Sequence, residues 1–288
     1  MIQRTFIPGS HWVYFKLYTG EKRVDYILVN MIEPILKKLQ DRKCLKKWFF
    51  IRYSDPDFHL RIRLLINDIK YFEEVIFLFN YKLKNLINKH LIWKVQLDTY
   101  NRELERYNSN LIEETESLFF FDSECILTIL KRINGNETYR WMITLKLIDE
   151  LLSNFRYKIE EKQKIVEEIA QSYKIEFELK GFYLKQFNII FRKNKMFVES
   201  VLNNALNEEE FVNLYLPIKQ RTIKLLPIVE QIKSKVKNNN EFAGLIKSYL
   251  HMTINRVFIS ENRIFEMIIS EFMSRYYLSE IAKNKYNK

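Results

Sequence analysis

Residues 48–66 limit what this chain can fold into more than any other stretch. Trp48, Phe49, Phe50, Ile51 and Tyr53 are aromatic or β-branched, with Arg52 the exception, so 48–53 reads as a strand. Ser54-Asp55-Pro56-Asp57 supplies a turn, because Pro56 presets φ and Ser or Asp side chains bond the local backbone. Phe58, Leu60, Ile62, Leu64 and Ile66 then alternate with His59, Arg61 and Arg63. A two-residue period makes one face of this second strand apolar and the other cationic, with neighbouring cationic residues roughly 6.6 Å apart. Two readings follow. The cationic row is the solvated outer face of an antiparallel sheet, or it is a wall of fixed charge that grips carboxylates through forked guanidinium groups.

The chain has 288 residues, enough for a large core, and its 47% hydrophobic and 29% charged content is that of a globular protein. No apolar run approaches the ~20 residues of a membrane span, and the N-terminus lacks a signal-peptide pattern. Cys44 and Cys125 are the two cysteines, so neither a disulfide framework nor a cysteine-rich metal site is supported. The cytoplasm is the expected compartment. A net charge of +11 points either to an acidic partner or to compositional drift, and the scattering of the lysines favours drift.

Taken in order, residues 12–18 read as a strand and 23–41 as a helix interrupted at Pro34. After the 48–66 hairpin, 67–90 reads as a helix capped near Asn67-Asp68, and 91–100 as a strand. This β-α-β-β-α-β order is ferredoxin-like. Helices dominate afterwards, at 111–133, 137–154, 155–172, 207–235, 242–258 and 261–283, with 174–204 ambiguous and 237–241 a loop. The expected fold class is α+β. A small N-terminal mixed or antiparallel sheet, within 1–107, precedes a mostly helical part over 108–288, all in a single domain.

The chemistry-bearing inventory is narrow. No HExxH, GxGxxG, Walker loop or GxSxG occurs, so no metal and no cofactor is called for. Of the four histidines, His251 stands out on a helix rich in apolar residues, with Asn255 at i,i+4 placed to orient its ring. It reads either as a satisfied core residue or as a proton carrier. His11 has no assignable role. Arginine plus one histidine is a toolkit for holding carboxylates and moving a proton.

Four stretches extend this reading: Phe6-Ile-Pro-Gly-Ser-His-Trp12, the 48–63 segment, Tyr100-Asn-Arg-Glu-Leu-Glu-Arg-Tyr107 followed by Glu116 and Phe121-Asp122-Ser123, and His251-Met-Thr-Ile-Asn-Arg256. In this order they resemble the elimination domain of class I lantibiotic dehydratases, a domain also found alone in thiopeptide-type bacteriocin biosynthesis. The resemblance covers nearly the whole chain. It implies elimination of glutamate from glutamylated Ser or Thr of a ribosomally made precursor peptide, leaving dehydroalanine or dehydrobutyrine. It also implies Arg63, Arg106 and His251 as catalytic residues, with Arg61, His59, Arg52 and Asn255 as substrate-binding candidates. The large tRNA-dependent glutamylation region that precedes this domain in full-length dehydratases is expected in a separate subunit. A lanthionine cyclase is a further implied partner, and a homodimer is allowed. The chain departs from the family pattern at Asn108-Ser109, where Gly-Gly is usual, and at His11, where Glu is more common.

This reaction suits the inventory. A weakly acidic Cα proton leaves, a carboxylate departs from Cβ, and fixed guanidinium groups stabilise the developing anions. The mechanism requires positions 63, 106 and 251, far apart in sequence, to converge in the fold and line a single positively charged pocket. The alternatives are a [4+2] pyridine-forming cyclase of thiopeptide biosynthesis, which acts on already dehydrated peptide, and a non-enzymatic peptide- or nucleic-acid-binding module.

Overall fold

The computed structural model describes residues 2–206, 209–236 and 238–286. By contacts the chain divides into two compact units: Met1–Asn134 with Glu230–Lys237, and Gly135–Val229 with Asn238–Lys288. Each is described by itself.

The first unit is built on strands β1 (Thr5–Phe6), β2 (Trp12–Thr19), β3 (Leu45–Ser54), β4 (Phe58–Ile66), β5 (Ile92–Leu97) and β6 (Tyr100–Asn101). Four of them form an antiparallel sheet in the order β3-β4-β2-β5, while β1 and β6 pair as a separate ribbon. Between β2 and β3 lie α1 (Val24–Ile27), a π-helical turn at Leu28–Ile32, and α2 (Glu33–Asp41), which has Pro34 in its first turn. Pro34 thus lies inside one helical run, just after its π-helical turn, which is the interruption the sequence placed there. Helix α3 (Phe72–Asn88) joins β4 to β5. A 3₁₀ turn precedes it, and Asp68 accepts from the Lys70 N–H at 3.0 Å, as the cap reading anticipated.

This is the β-α-β-β-α-β order read from the sequence, and every neighbouring pair in the sheet is antiparallel. The apolar row of β4 faces the helices, and on the same face of β2 Phe15 stacks on Phe79 of α3 with ring centroids 3.9 Å apart. A short α4 (Leu104–Tyr107) and the long α5 (Ile112–Ile133) complete the unit. Helix α5 packs along β3, where the Ser123 hydroxyl accepts from the Phe50 N–H at 3.3 Å. It thereby covers one rim of the sheet, and β5 forms the opposite, unpaired rim.

The second unit is helical: α6 (Glu137–Asn154), α7 (Ile159–Glu176), α8 (Phe182–Leu202), most of α9 (Glu209–Lys235), α10 (Asn239–Val257) and α11 (Asn262–Tyr286). The ambiguous stretch 174–204 is thus the end of α7, a turn and α8. The expected 237–241 loop is shorter, with the helix starting at Asn239 and residue 237 outside the described residues. The starting positions 207 and 208 of the helix expected at 207–235 also lie outside them, as do residues 287 and 288 of the C-terminal end. Helices α7 and α11 run antiparallel: Gln163 reaches Ser274 at 3.3 Å and Lys174 reaches Glu271 at 2.5 Å. Among the described residues, no helix is long and apolar enough to cross a membrane.

Candidate functional site

The polar row of β4 is fixed by register. Arg63 stands opposite Tyr14 and Phe49, Arg61 opposite Lys16 and Ile51, and His59 opposite Tyr18 and Tyr53. The reading of this row as a solvated outer face fails at two of its three positions. His59 is fully buried and Arg63 is only 8% exposed. Aromatic rings provide the cover. The Arg63 guanidinium lies 4.8 Å from the Tyr14 ring centre, 5.3 Å from Phe49 and 4.7 Å from Tyr100. Such contacts suit a cation's flat face, but they leave its in-plane donors unused. The buried Nε of Arg63 has no acceptor, and no described carboxylate pairs with this guanidinium. Buried charges in proteins are ordinarily paired, which makes this guanidinium a candidate anion site.

His59 has a different task. Its Nδ1 is 2.8 Å from the Asp57 carbonyl, and its Nε2 accepts from Arg61 Nε at 3.0 Å. The two bonds define a neutral ring with the proton on Nδ1. Burial pushes its pKa down, partly offset by the bond to Asp57. With both nitrogens engaged, His59 orients Arg61, whose guanidinium also lies 3.5 Å from the Tyr53 ring centre. Arg52 is on the other face of the sheet. It is buried, over Phe50, and pairs with Asp25 of α1 at 2.7 Å. The structure therefore brings Arg61, Arg63 and His59 together and sets Arg52 apart from them.

The 100–107 motif separates into a core half and a surface half. Arg102 binds Glu116 through two bonds of 2.7 Å, and Tyr100 donates to the same carboxylate at 2.9 Å. This buried cluster anchors β6 to α5. Burial, reinforced by the Glu116 charge, raises the Tyr100 pKa well above its usual value. Arg106, on α4, is part-exposed, lies 3.7 Å from Glu103 and stacks over Tyr107 at 5.3 Å. The departure at Asn108 has a structural answer. This residue has φ +62° and ψ +137°, outside the left-handed helical region and in backbone space that glycine adopts most readily. Its Oδ1 accepts from the Asn110 N–H at 2.9 Å.

His251 lies in the second unit, on α10. Its Nδ1 is 2.7 Å from Glu266 Oε2, on α11. Tyr173, on α7, donates to the same oxygen at 2.8 Å. Glu266 is almost wholly buried, while the His251 side chain is 31% exposed and its Nε2 has no partner among the described residues. Burial and the Glu266 charge raise the Tyr173 pKa, so its phenol stays protonated and serves as a donor. The arrangement is a carboxylate holding one imidazole nitrogen while the other stays open, the pattern that fixes a tautomer for proton transfer. The ring's partner is Glu266, fifteen residues on, whereas i,i+4 spacing had pointed to Asn255. The sequence held a signal for Glu266 only in its being an acid on the facing side of the next helix. Among the described residues, no cluster of three or more His, Cys, Asp or Glu could hold a metal ion.

Residues 12–277 match the family described as lantibiotic biosynthesis dehydratase C-term. The chain belongs to this family. The subtilin biosynthesis protein SpaB of Bacillus subtilis is 24% identical over 275 residues, which cover 93% of this chain and 25% of SpaB. The chain spans about a quarter of the length of the curated relatives it matches. Among solved structures, the tRNA-dependent lantibiotic dehydratase MibB from Microbispora sp. 107891 aligns with a TM-score of 0.75 at 19% identity, over 96% of this chain and 29% of MibB. The pyridine synthase TbtD from thiomuracin biosynthesis aligns with a TM-score of 0.67 at 11% identity, over 93% of this chain and 99% of TbtD. These two likenesses show a shared fold.

Proposed function

We propose that the chain eliminates glutamate from glutamylated Ser or Thr of a precursor peptide, as a lyase of lanthipeptide or thiopeptide-type biosynthesis. The observation that carries this reading is the imidazole of His251, held through Nδ1 by the buried Glu266 with Nε2 open. In the proposed step the Cα–H bond breaks, its electron pair forms the Cα=Cβ bond, and the Cβ–O bond breaks to release glutamate as a carboxylate. His251 Nε2 is the atom that exchanges a proton. Arg63, a buried guanidinium lacking a described carboxylate, takes a carboxylate of the glutamyl group. Arg61, held by His59, and Arg106 add positive charge to the same task. One such donor aimed at a developing anion is worth about 3 kcal/mol.

The partners that go with this reaction are the glutamylated peptide, a glutamyl-tRNA-dependent region that installs the glutamate, and a cyclase that consumes the alkene, all in the cytoplasm. A second reading, pyridine formation from two dehydroalanines, is favoured by one observation: the alignment with TbtD spans 99% of that enzyme. Mass spectrometry separates the two. Incubation with a peptide carrying a glutamyl-serine ester yields free glutamate and dehydroalanine under the first reading. Under the second, that ester is untouched and only a dehydrated peptide is cyclised. Correctly folded His251→Ala that eliminates glutamate at the parent rate would overturn the proposal.

A further inference from the structure

A cavity of about 430 Å³ lies within the helical unit, lined chiefly by Trp141, Ile190, Phe258, Phe265 and Phe272. The volume is in the range of sites that hold small apolar groups. Its position relative to His251 is defined by the helix that carries both. Phe258 continues α10, its N–H bonding the Ile254 carbonyl at 3.0 Å. It follows His251 by seven residues, so it sits on the same helical face about 10 Å further along. Across the hairpin, Phe265 stacks on Phe258 with centroids 4.0 Å apart and directly precedes Glu266, the carboxylate that holds the His251 ring. The cavity and the proton-transfer pair are thus two stations on one helical hairpin.

The lining also defines what enters. Glu137 is a charged group at the rim, and its carboxylate is bound to Arg140 Nε at 3.0 Å. Arg140 in turn donates to the Val257 carbonyl at 2.6 Å, closing off that charge. An ionic side chain entering the cavity would lose its water and find rings in exchange. Asn194 and Thr138 add polar side chains to the lining, which a peptide backbone can bond.

We propose that this cavity is a specificity pocket for one uncharged aliphatic or aromatic side chain of the precursor peptide, about three residues from the Ser or Thr being processed. The spacing comes from about 10 Å at about 3.3 Å per extended residue. The inference rests on the elimination reading and deepens it by naming a sequence preference in the substrate.

The test uses synthetic peptides with a glutamyl-serine ester and Leu, Ala or Asp three residues before or after it. At one of the two positions, kcat/KM for the Leu peptide is expected to exceed that for the Asp peptide by tenfold or more, in the range hydrophobic pockets achieve. Ile190→Trp, at an exposed position of the lining, fills the cavity and should erase that preference. Equal rates with Leu, Ala and Asp at both positions would overturn the pocket and leave elimination standing. So would a preference that survives Ile190→Trp. A wild-type protein that turns over none of the peptides would refute the elimination reading instead. In that case the pocket is decided by titrating the same peptides against Trp141 emission, read as the difference from Trp141→Phe. A change specific to the Leu peptide supports occupancy, and none overturns it.

Discussion

Nδ1 of His251 and Oε2 of Glu266 are 2.7 Å apart, and the second imidazole nitrogen has no partner among the described residues. If that carboxylate positions the ring for proton transfer, Glu266→Gln should lower kcat by about ten- to a hundredfold, the usual worth of a well-placed acid–base group. KM should change little. Ring-nitrogen NMR checks the cause: the Nδ1–H tautomer should dominate in the parent and lose its dominance in Glu266→Ala. An equal loss in both kinetic constants, with an unchanged tautomer, would assign Glu266 a purely structural role.

Arg63 makes a prediction of opposite signs. Replacing a buried, unpaired cation with an apolar side chain of similar length is often neutral or stabilising. Arg63→Met should therefore keep or raise the melting temperature while elimination falls about a hundredfold, the loss of about 3 kcal/mol of anion stabilisation. Thermal unfolding and glutamate release, measured on one preparation, report both. Lysine, lacking the flat forked donor set, should not restore the rate.

His59 should make stability depend on pH. Its folded pKa lies below the ordinary 6.5 because it is buried. Between the folded and ordinary values the unfolded chain binds more protons, so stability rises with pH across that window. The contribution is complete above about 6.5 and is lost as pH falls through the folded pKa. Denaturant titrations from pH 7.5 to 5 should show this slope in the parent and a shallower one in His59→Gln.

The Tyr100–Arg102–Glu116 cluster is expected to be structural. Glu116→Ala strands a buried guanidinium and should cost about 3–5 kcal/mol, seen as a lower denaturant midpoint, with kcat unchanged wherever the protein remains folded.

Asn108 should tolerate glycine better than alanine. A Cβ at φ +62°, ψ +137° costs about 1–3 kcal/mol, offset in part by the Asn108–Asn110 bond. Asn108→Ala should lower the midpoint, and Asn108→Gly should leave it nearly unchanged.

Much of the first unit was legible because its signals are local. The alternation in Phe58–Ile66 defined a strand and its two faces, and the cap residues at 67–68 located the start of the following helix. What the local pattern could not convey was which face stays wet. The cationic row read equally as a solvated face or a charged wall, because its cover comes from Tyr14 and Tyr18 on β2, Tyr53 on β3, and Tyr100 beyond the sheet. The same limit hid Glu266. Helical periodicity relates residues three or four apart, and His251 found its partner across a turn, on the next helix. Arg52 shows the converse: its place in a strand beside arginine-rich neighbours suggested a shared task, but pleating turned it to the opposite side, toward Asp25.

The lateral cover that α5 gives to β3 has a consequence for solution behaviour. A sheet with one covered margin can recruit a foreign strand along the other, here β5. Strand addition to this four-stranded sheet is thereby confined to its β5 margin.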